Sequence, residues 1–300
     1  SMVVDRLTRP AVEQLDEDGC LYVATGSYLM FLPKMTDGYG AGLVYLRRGR
    51  EWTRVATLPA LGRVIYGDGA PNSGVTVEHR IFGERVDAPL PPLRTDHDGW
   101  YLLTLRDQWI DRRGRTWIAK AYFAPTDDPR VIKCTQSLWC SGEVRLYRFE
   151  GPQLSVGDGT FGTQRLATWV GNGPAQTGGA PLLQRTGAVD RGVLAIEPPV
   201  GGAVGLLWDP NQLWVAGKAQ PQGLIASPNV LFGQSNQYLS LVVPHFAPGQ
   251  PASAEQAQAG MVIPAGRPVF LRARLFVAAD GTLTDANAAW DQQFRRGPGD

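Results

Sequence analysis

Lysine is nearly missing from this 300-residue chain: Lys34, Lys120, Lys133 and Lys218 are the only ones among 29 basic residues, so arginine carries almost all the positive charge. A guanidinium suits planar, two-pronged contacts better than an ammonium does. Long basic runs are missing as well. With 28 acidic residues and a formal charge of +1, the chain has no footprint for a nucleic-acid backbone, and nucleic acid is not expected as a partner. No apolar run is long enough to cross a bilayer as a helix, so no membrane span is expected.

Cysteine is scarce too. Cys20, Cys134 and Cys140 cannot form an even framework, and no CxxC or clustered Cys/His spacing supports zinc, so no metal is expected. Cys134 and Cys140 lie six apart in what reads as one strand, which places them on one face but roughly 20 Å apart. That exceeds disulfide reach, and both are expected as buried thiols. The Gly-rich stretches GDGAPNSG and GNGPAQTGG do not open a helix after a strand, so no phosphate-binding loop and no cofactor are expected. No GxSxG elbow is present.

What the chain does have is apolar content (43%) sufficient for a sizeable core, with 36 glycines and 23 prolines suited to many turns. Residues 1–19 read as an irregular lead-in, with VEQLDEDG as a short helical turn. Strand patterns then run through 20–282. LVYLRRGREWTRVATL reads as a hairpin, and VTVEHRIFGERV alternates cleanly. Between Gly99 and Val156 four strands of about ten residues follow one another, longer than is usual. Residues 157–192 read as loop-rich. Further strands follow at VLAIEPP, AVGLLWD, GLIASPN, YLSLVVPHF and RPVFLRARLFVA. Residues 283–300 form a tail in which TDANAAWDQQFRR starts a helix, with Asp285 near its N-terminus. No fixed-period repeat points to a propeller or solenoid. The expected fold is all-β: a large antiparallel two-sheet super-sandwich with few short helices.

Two stretches carry a family resemblance. LYRFEGPQLSVGDGTFGTQRLATWVGNG looks like a linker region of large galactose-mutarotase-like β-super-sandwich domains. VGLLWDPNQLW, GLIASPN and NQYLSLVVPHF, in that order, resemble the later strands of such domains in bacterial carbohydrate-active proteins. The resemblance covers roughly residues 75–278. It implies a carbohydrate context, an oligo- or polysaccharide partner, and a layout in which a helical catalytic domain follows, in keeping with the helix start near Trp290. It does not imply that this part of the chain is the catalytic one.

The residues themselves select no catalytic pair. Glu78 and His79 are adjacent in a strand and point to opposite faces. His79 reads as a satisfied core or interface histidine, and Glu150 as the partner of Arg148 on the same strand face. Glycoside cleavage requires two carboxyl groups at a set separation, which spacing alone does not define. Aromatic side chains are the stronger lead, because sugar faces stack on indole rings. Trp208, Asp209 and Trp214, around a Pro-Asn turn, are expected to be exposed, with Asn229 and Gln237 supplying amides that read hydroxyls. His97, in TDHDGW, and His245, after Pro244, are further candidates for saccharide contact. The expected function is a carbohydrate-associated domain of a larger, glycoside hydrolase-like protein that binds or braces a saccharide cleft. Two alternatives remain: a stand-alone sugar epimerase, mutarotase or polysaccharide lyase, and an assembly module with no small ligand. Compartment, sugar and linkage stay open.

Overall fold

The computed structural model describes residues 12–15, 19–69, 74–86, 103–157, 166–175, 181–215, 220–247, 249–257 and 259–295. The first half contributes β1 (Val12–Leu15), β2 (Leu21–Ala24), β3 (Tyr28–Leu32), β4 (Gly42–Arg48), β5 (Glu51–Leu58), β6 (Gly62–Gly67), β7 (Thr76–Ile81), β8 (Glu84–Arg85), β9 (Leu103–Ile110), β10 (Thr116–Pro125), β11 (Val131–Cys140) and β12 (Val144–Val156). The second half adds β13 (Ala167–Val170), β14 (Gly173–Ala175), β15 (Leu182–Arg185), β16 (Gly192–Glu197), β17 (Ala203–Trp208), β18 (Gln222–Ser227), β19 (Gln237–Val243), β20 (Met261–Ile263), β21 (Val269–Ala278) and one helix, α1 (Leu283–Phe294).

These strands form two antiparallel sheets packed face to face. The larger, of 12 strands, runs β1-β2-β3-β4-β5-β12-β19-β18-β15, with β6 and β20 also on β12 and β7 beyond β6. The smaller, of 9 strands, runs β14-β13-β16-β17-β21-β11-β10-β9-β8. The all-β two-sheet sandwich expected from the strand pattern is therefore the observed fold. One apolar core lies between the sheets. Trp117, Ala119, Ala121 and Phe123 of β10 point into it at every second position, as the period of two requires. Cys134 and Cys140 are free and buried in the same core, as their even offset indicates.

Two local expectations need correction. The VEQL segment is a strand, not a helical turn: β1 pairs with β2 at the end of the larger sheet's order. The stretch 157–192 is not merely loop, because β13, β14 and β15 fall within it. They are only three or four residues long, too short for a period of two to show, so their pairing with neighbours forms them more than their own pattern does. The four long consecutive strands divide between the two sheets. β9, β10 and β11 pair in series in the smaller sheet, whereas β12 crosses at Ser141–Glu143 to the middle of the larger one.

The predicted helix forms and is capped as its sequence suggests. Thr282 accepts a hydrogen bond from the Asp285 amide, and the Asp285 carboxylate accepts one from the Thr282 amide at 2.7 Å. Ala286, Ala289 and Trp290 press against Val131, Val193, Ala195, Leu207 and Phe276 on the outer side of the smaller sheet. Trp290 Nε1 donates to the Trp208 carbonyl at 2.8 Å. That sheet is thus buried on both faces along β16 and β17.

Candidate functional site

The outer side of the larger sheet is built differently, and strand register shows how. Phe149, Leu154 and Val156 of β12 face the core, so Glu150, Gln153 and Ser155 face outward. Register extends this polar face sideways. Glu150 sits opposite Arg63 of β6, and Arg63 opposite Arg80 of β7. Ser155 sits opposite Tyr238 of β19. The ladder slips between Leu146 and Arg148 and again between Glu150 and Gln153. Such irregularities re-aim side chains, and here they bring Arg148, Glu150 and Gln153 together on one side. Gln136 packs directly over Gly151, where a Cβ would lie 1.8 Å from its Oε1 and displace that side chain.

At the centre is Glu150, with no exposed surface. Arg148 Nε donates to its Oε2 at 2.6 Å and Arg63 Nε at 2.8 Å. The Tyr238 hydroxyl donates to Oε1, and Gln153 Nε2 donates to the Tyr238 oxygen at 2.8 Å. Burial on its own would raise the carboxyl pKa, but Arg148 and Arg63 overcome that and hold it below the ordinary carboxylate range. Arg63 also donates to Glu78 Oε1 at 3.3 Å, linking the buried carboxylate to one that is half exposed. Arg148 is fixed from the other side by the carbonyl of Ala254 at 2.9 Å.

A recess of about 260 Å³ opens over this network, with Arg63, Gln153, Ser155 and Tyr238 at its base and Glu78, Arg80, Phe232 and Gln234 around it. Phe232 meets Tyr238 edge-on at 5.2 Å, and the Arg63 guanidinium lies 5.3 Å from the Phe232 ring centre. The loop that carries Phe232 and Gln234 is tied at its root by Asn229. The Asn229 amide donates to the Asn236 carbonyl at 2.7 Å, its side chain donates to Asn236 Oδ1 at 2.8 Å, and its own carbonyl accepts from Gln234 at 3.0 Å. The recess therefore combines a fixed charged floor, one exposed aromatic ring and several hydroxyl-reading side chains. Glu150 has both oxygens engaged and stays ionised, so it cannot serve as a proton donor at neutral pH.

The residues expected at the site from sequence are dispersed. Trp208 and Trp214 are core residues at 0% and 2% exposure, which corrects the expectation that they form an exposed group. β17 is covered by α1 on one side and by the opposite sheet on the other, which leaves its indole no route to solvent. Asp209 is exposed at the following turn and accepts from the Asn211 amide at 2.8 Å. Gln237 is fully buried with its amide unpaired on the core side of β19, one residue from the outward-facing Tyr238. Asn229 is buried and positions the recess loop without lining the recess. His245 is exposed on the outer side, with Nε2 3.1 Å from Gln222 Nε2. His97 lies outside the described residues. Sequence reasoning did pair Glu150 with Arg148 but passed over Arg63, Tyr238 and Phe232.

His79 is satisfied as expected, by Asp107 of the opposite sheet at 2.8 Å, and it stacks on Trp109 at 3.7 Å. This pair bridges β7 to β9. It is a histidine and a carboxylate within hydrogen-bond reach, but it is not part of the outer recess. Among the described residues no group of three His, Cys, Asp or Glu side chains is placed to hold a metal ion.

No protein-family model and no curated protein matches the chain. Among solved structures it is similar to the Slr1438 protein from Synechocystis sp. PCC 6803, at 8% identity and a TM-score of 0.48, covering 88% of this chain and 97% of that one. It is also similar to the galactosidase domain of an α-galactosidase–sucrose kinase, at 10% identity and a TM-score of 0.36, covering 90% of this chain and 42% of that one.

Proposed function

We propose that this chain is a saccharide-binding β-super-sandwich domain of a glycan-processing protein, and that it holds its ligand in the outer recess of the larger sheet. The observation that supports this most is the pairing of the Phe232 ring with hydroxyl-reading groups over a buried floor of mutually hydrogen-bonded side chains. A sugar offers weakly positive C–H groups to a ring face and hydroxyls to its edges. Glu78 supplies acceptors, Arg80 supplies donors, and Ser155 and Gln234 supply both. Holding a buried carboxylate between two guanidiniums is an inefficient way to stabilise a fold, since well-packed apolar residues do as well or better. Its presence beneath a recess fits a role in ligand positioning. The binding role assigned from sequence to Trp208 and Trp214 passes to Phe232, with Tyr238 beneath it.

Calorimetric titration against a panel of neutral oligosaccharides, with Phe232→Ala and Gln234→Ala alongside the unaltered chain, tests this reading. At least one saccharide should bind, and each substitution should weaken it about tenfold or more, the scale of one lost stacking or hydrogen-bonding contact. Binding untouched by both substitutions would place the saccharide elsewhere.

A further inference from the structure

A second recess, of about 270 Å³, lies near one end of the sandwich, where the turns β6–β7, β9–β10 and β11–β12 meet. Three of its lining residues are arginines, Arg113, Arg115 and Arg145, and its one acid is Glu143. They come from separate elements. Arg113 and Arg115 sit on the β9–β10 turn and Arg145 on β12, two residues before the first register slip.

Arg115 is fully committed. Its Nε donates to Asp111 Oδ2 at 2.7 Å, and its two terminal nitrogens donate to the carbonyls of Glu143 at 2.9 Å and Gly67 at 3.0 Å. Asp111 therefore balances Arg115. The other two arginines are not balanced in this way. Arg145 donates one terminal nitrogen to the Ala259 carbonyl at 2.6 Å, while its Nε is buried without an acceptor. The Arg113 guanidinium, which is exposed, has no acceptor among the described residues. That Nε is out of a ligand's reach, but neither Arg113 nor Arg145 is paired with a carboxylate among the described residues, so a charged acceptor in the recess would gain strong hydrogen bonds from their remaining guanidinium N–H groups. The nearby Asp68 carboxylate lies 3.6 Å from Arg112, which is its ion-pair partner.

The rim is apolar. Val75 is 52% exposed and Val262 37% exposed, and both line the recess. A free inorganic ion gains nothing from such a rim, whereas an organic body attached to the ion would cover it.

We propose that this recess binds the oxyanion group of an organic acid, with Arg113 and Arg145 as the donors and Val75 and Val262 against the carbon skeleton. This stands whether or not the recess at Phe232 takes a saccharide. Calorimetry at low salt with glucuronate, inorganic sulfate and inorganic phosphate as probes tests it, using Arg113→Ala, Arg145→Gln and, as a control, Phe232→Ala. Glucuronate should bind more tightly than either inorganic ion, should weaken about tenfold with each arginine substitution, and should be indifferent to Phe232→Ala. Arg113 is exposed, so its substitution leaves the fold intact and keeps the test valid if Arg145→Gln proves unstable. Absence of binding by all three probes would overturn the proposal, as would glucuronate binding unchanged by Arg113→Ala. Inorganic ions binding as tightly as glucuronate would overturn the assignment of an organic ligand.

Discussion

The two sheets bury their inner faces in the same way and treat their outer faces in opposite ways. On the smaller sheet the outward side chains of β16 and β17 beneath α1 are mostly apolar, and α1 seals them with Ala286, Ala289 and Trp290, while Arg272 and Arg274 stand on the outward face of β21. On the larger sheet the outward positions of β6, β12 and β19 hold Arg63, Arg148, Glu150, Gln153 and Tyr238, all nearly free of solvent and bound to one another. One outer face is finished by packing and the other is left as a charged floor beneath a recess. A fold that needed only stability would have no reason to treat them differently. The contrast supports the proposal that the larger sheet's outer face is the binding surface.

Substitutions should separate the two faces by size and by kind of effect. The largest loss is expected for Glu150→Ala, which strands two buried guanidiniums. It should cost about 3–5 kcal/mol in urea unfolding, with much of the effect removed when Arg63 and Arg148 are replaced together by apolar residues. Next comes Trp290→Ala, which uncovers the smaller sheet and should cost about 3 kcal/mol by the same measurement. Its effect should be independent of pH, unlike that of Glu150.

Acid provides the third separation. Glu150 has a lowered pKa in the folded state, so its contribution is complete above the unfolded carboxyl value of about 4.3 and is lost as pH falls below it. Asp111 and Asp128 act in the same direction. Burial opposes their charge, but hydrogen bonds from Trp117 and Arg115 to the first, and from Arg130 to the second, overcome it. Stability should therefore fall between about pH 4 and lower values, and fall less steeply in Glu150→Gln. The smallest stability effect, within about 0.5 kcal/mol, is expected for Phe232→Ala, whose ring is 42% exposed, although ligand binding should suffer.

Much of the scaffold could be read from sequence because its signals are local. The β4–β5 hairpin, the helix that starts beside Asp285 and the same-face placement of Cys134 and Cys140 each depend on residues within a few positions of one another. The Arg148–Glu150 contact was legible for the same reason, being two residues apart on one strand. Arg63 and Tyr238 were not, since they reach Glu150 across 87 and 88 residues of chain, and only strand order brings them together. Trp208 was misread because it ends a strand beside a Pro-Asn turn, a setting that suggests exposure. The opposite sheet reverses it, because the indole lies in the core between the sheets, against Gly223 of β18. Asn229 was noticed for its amide, which binds its own loop and holds Phe232 in place.

A crystal structure of the chain soaked with its tightest-binding saccharide tests the central claim most directly. The account predicts sugar density against the Phe232 ring, with hydroxyls within hydrogen-bond distance of Glu78, Arg80 or Gln234 and Glu150 unmoved beneath. Density at the sheet edge beside His79 and Asp107, or at the Asp209 turn, with the Phe232 recess empty, would contradict it.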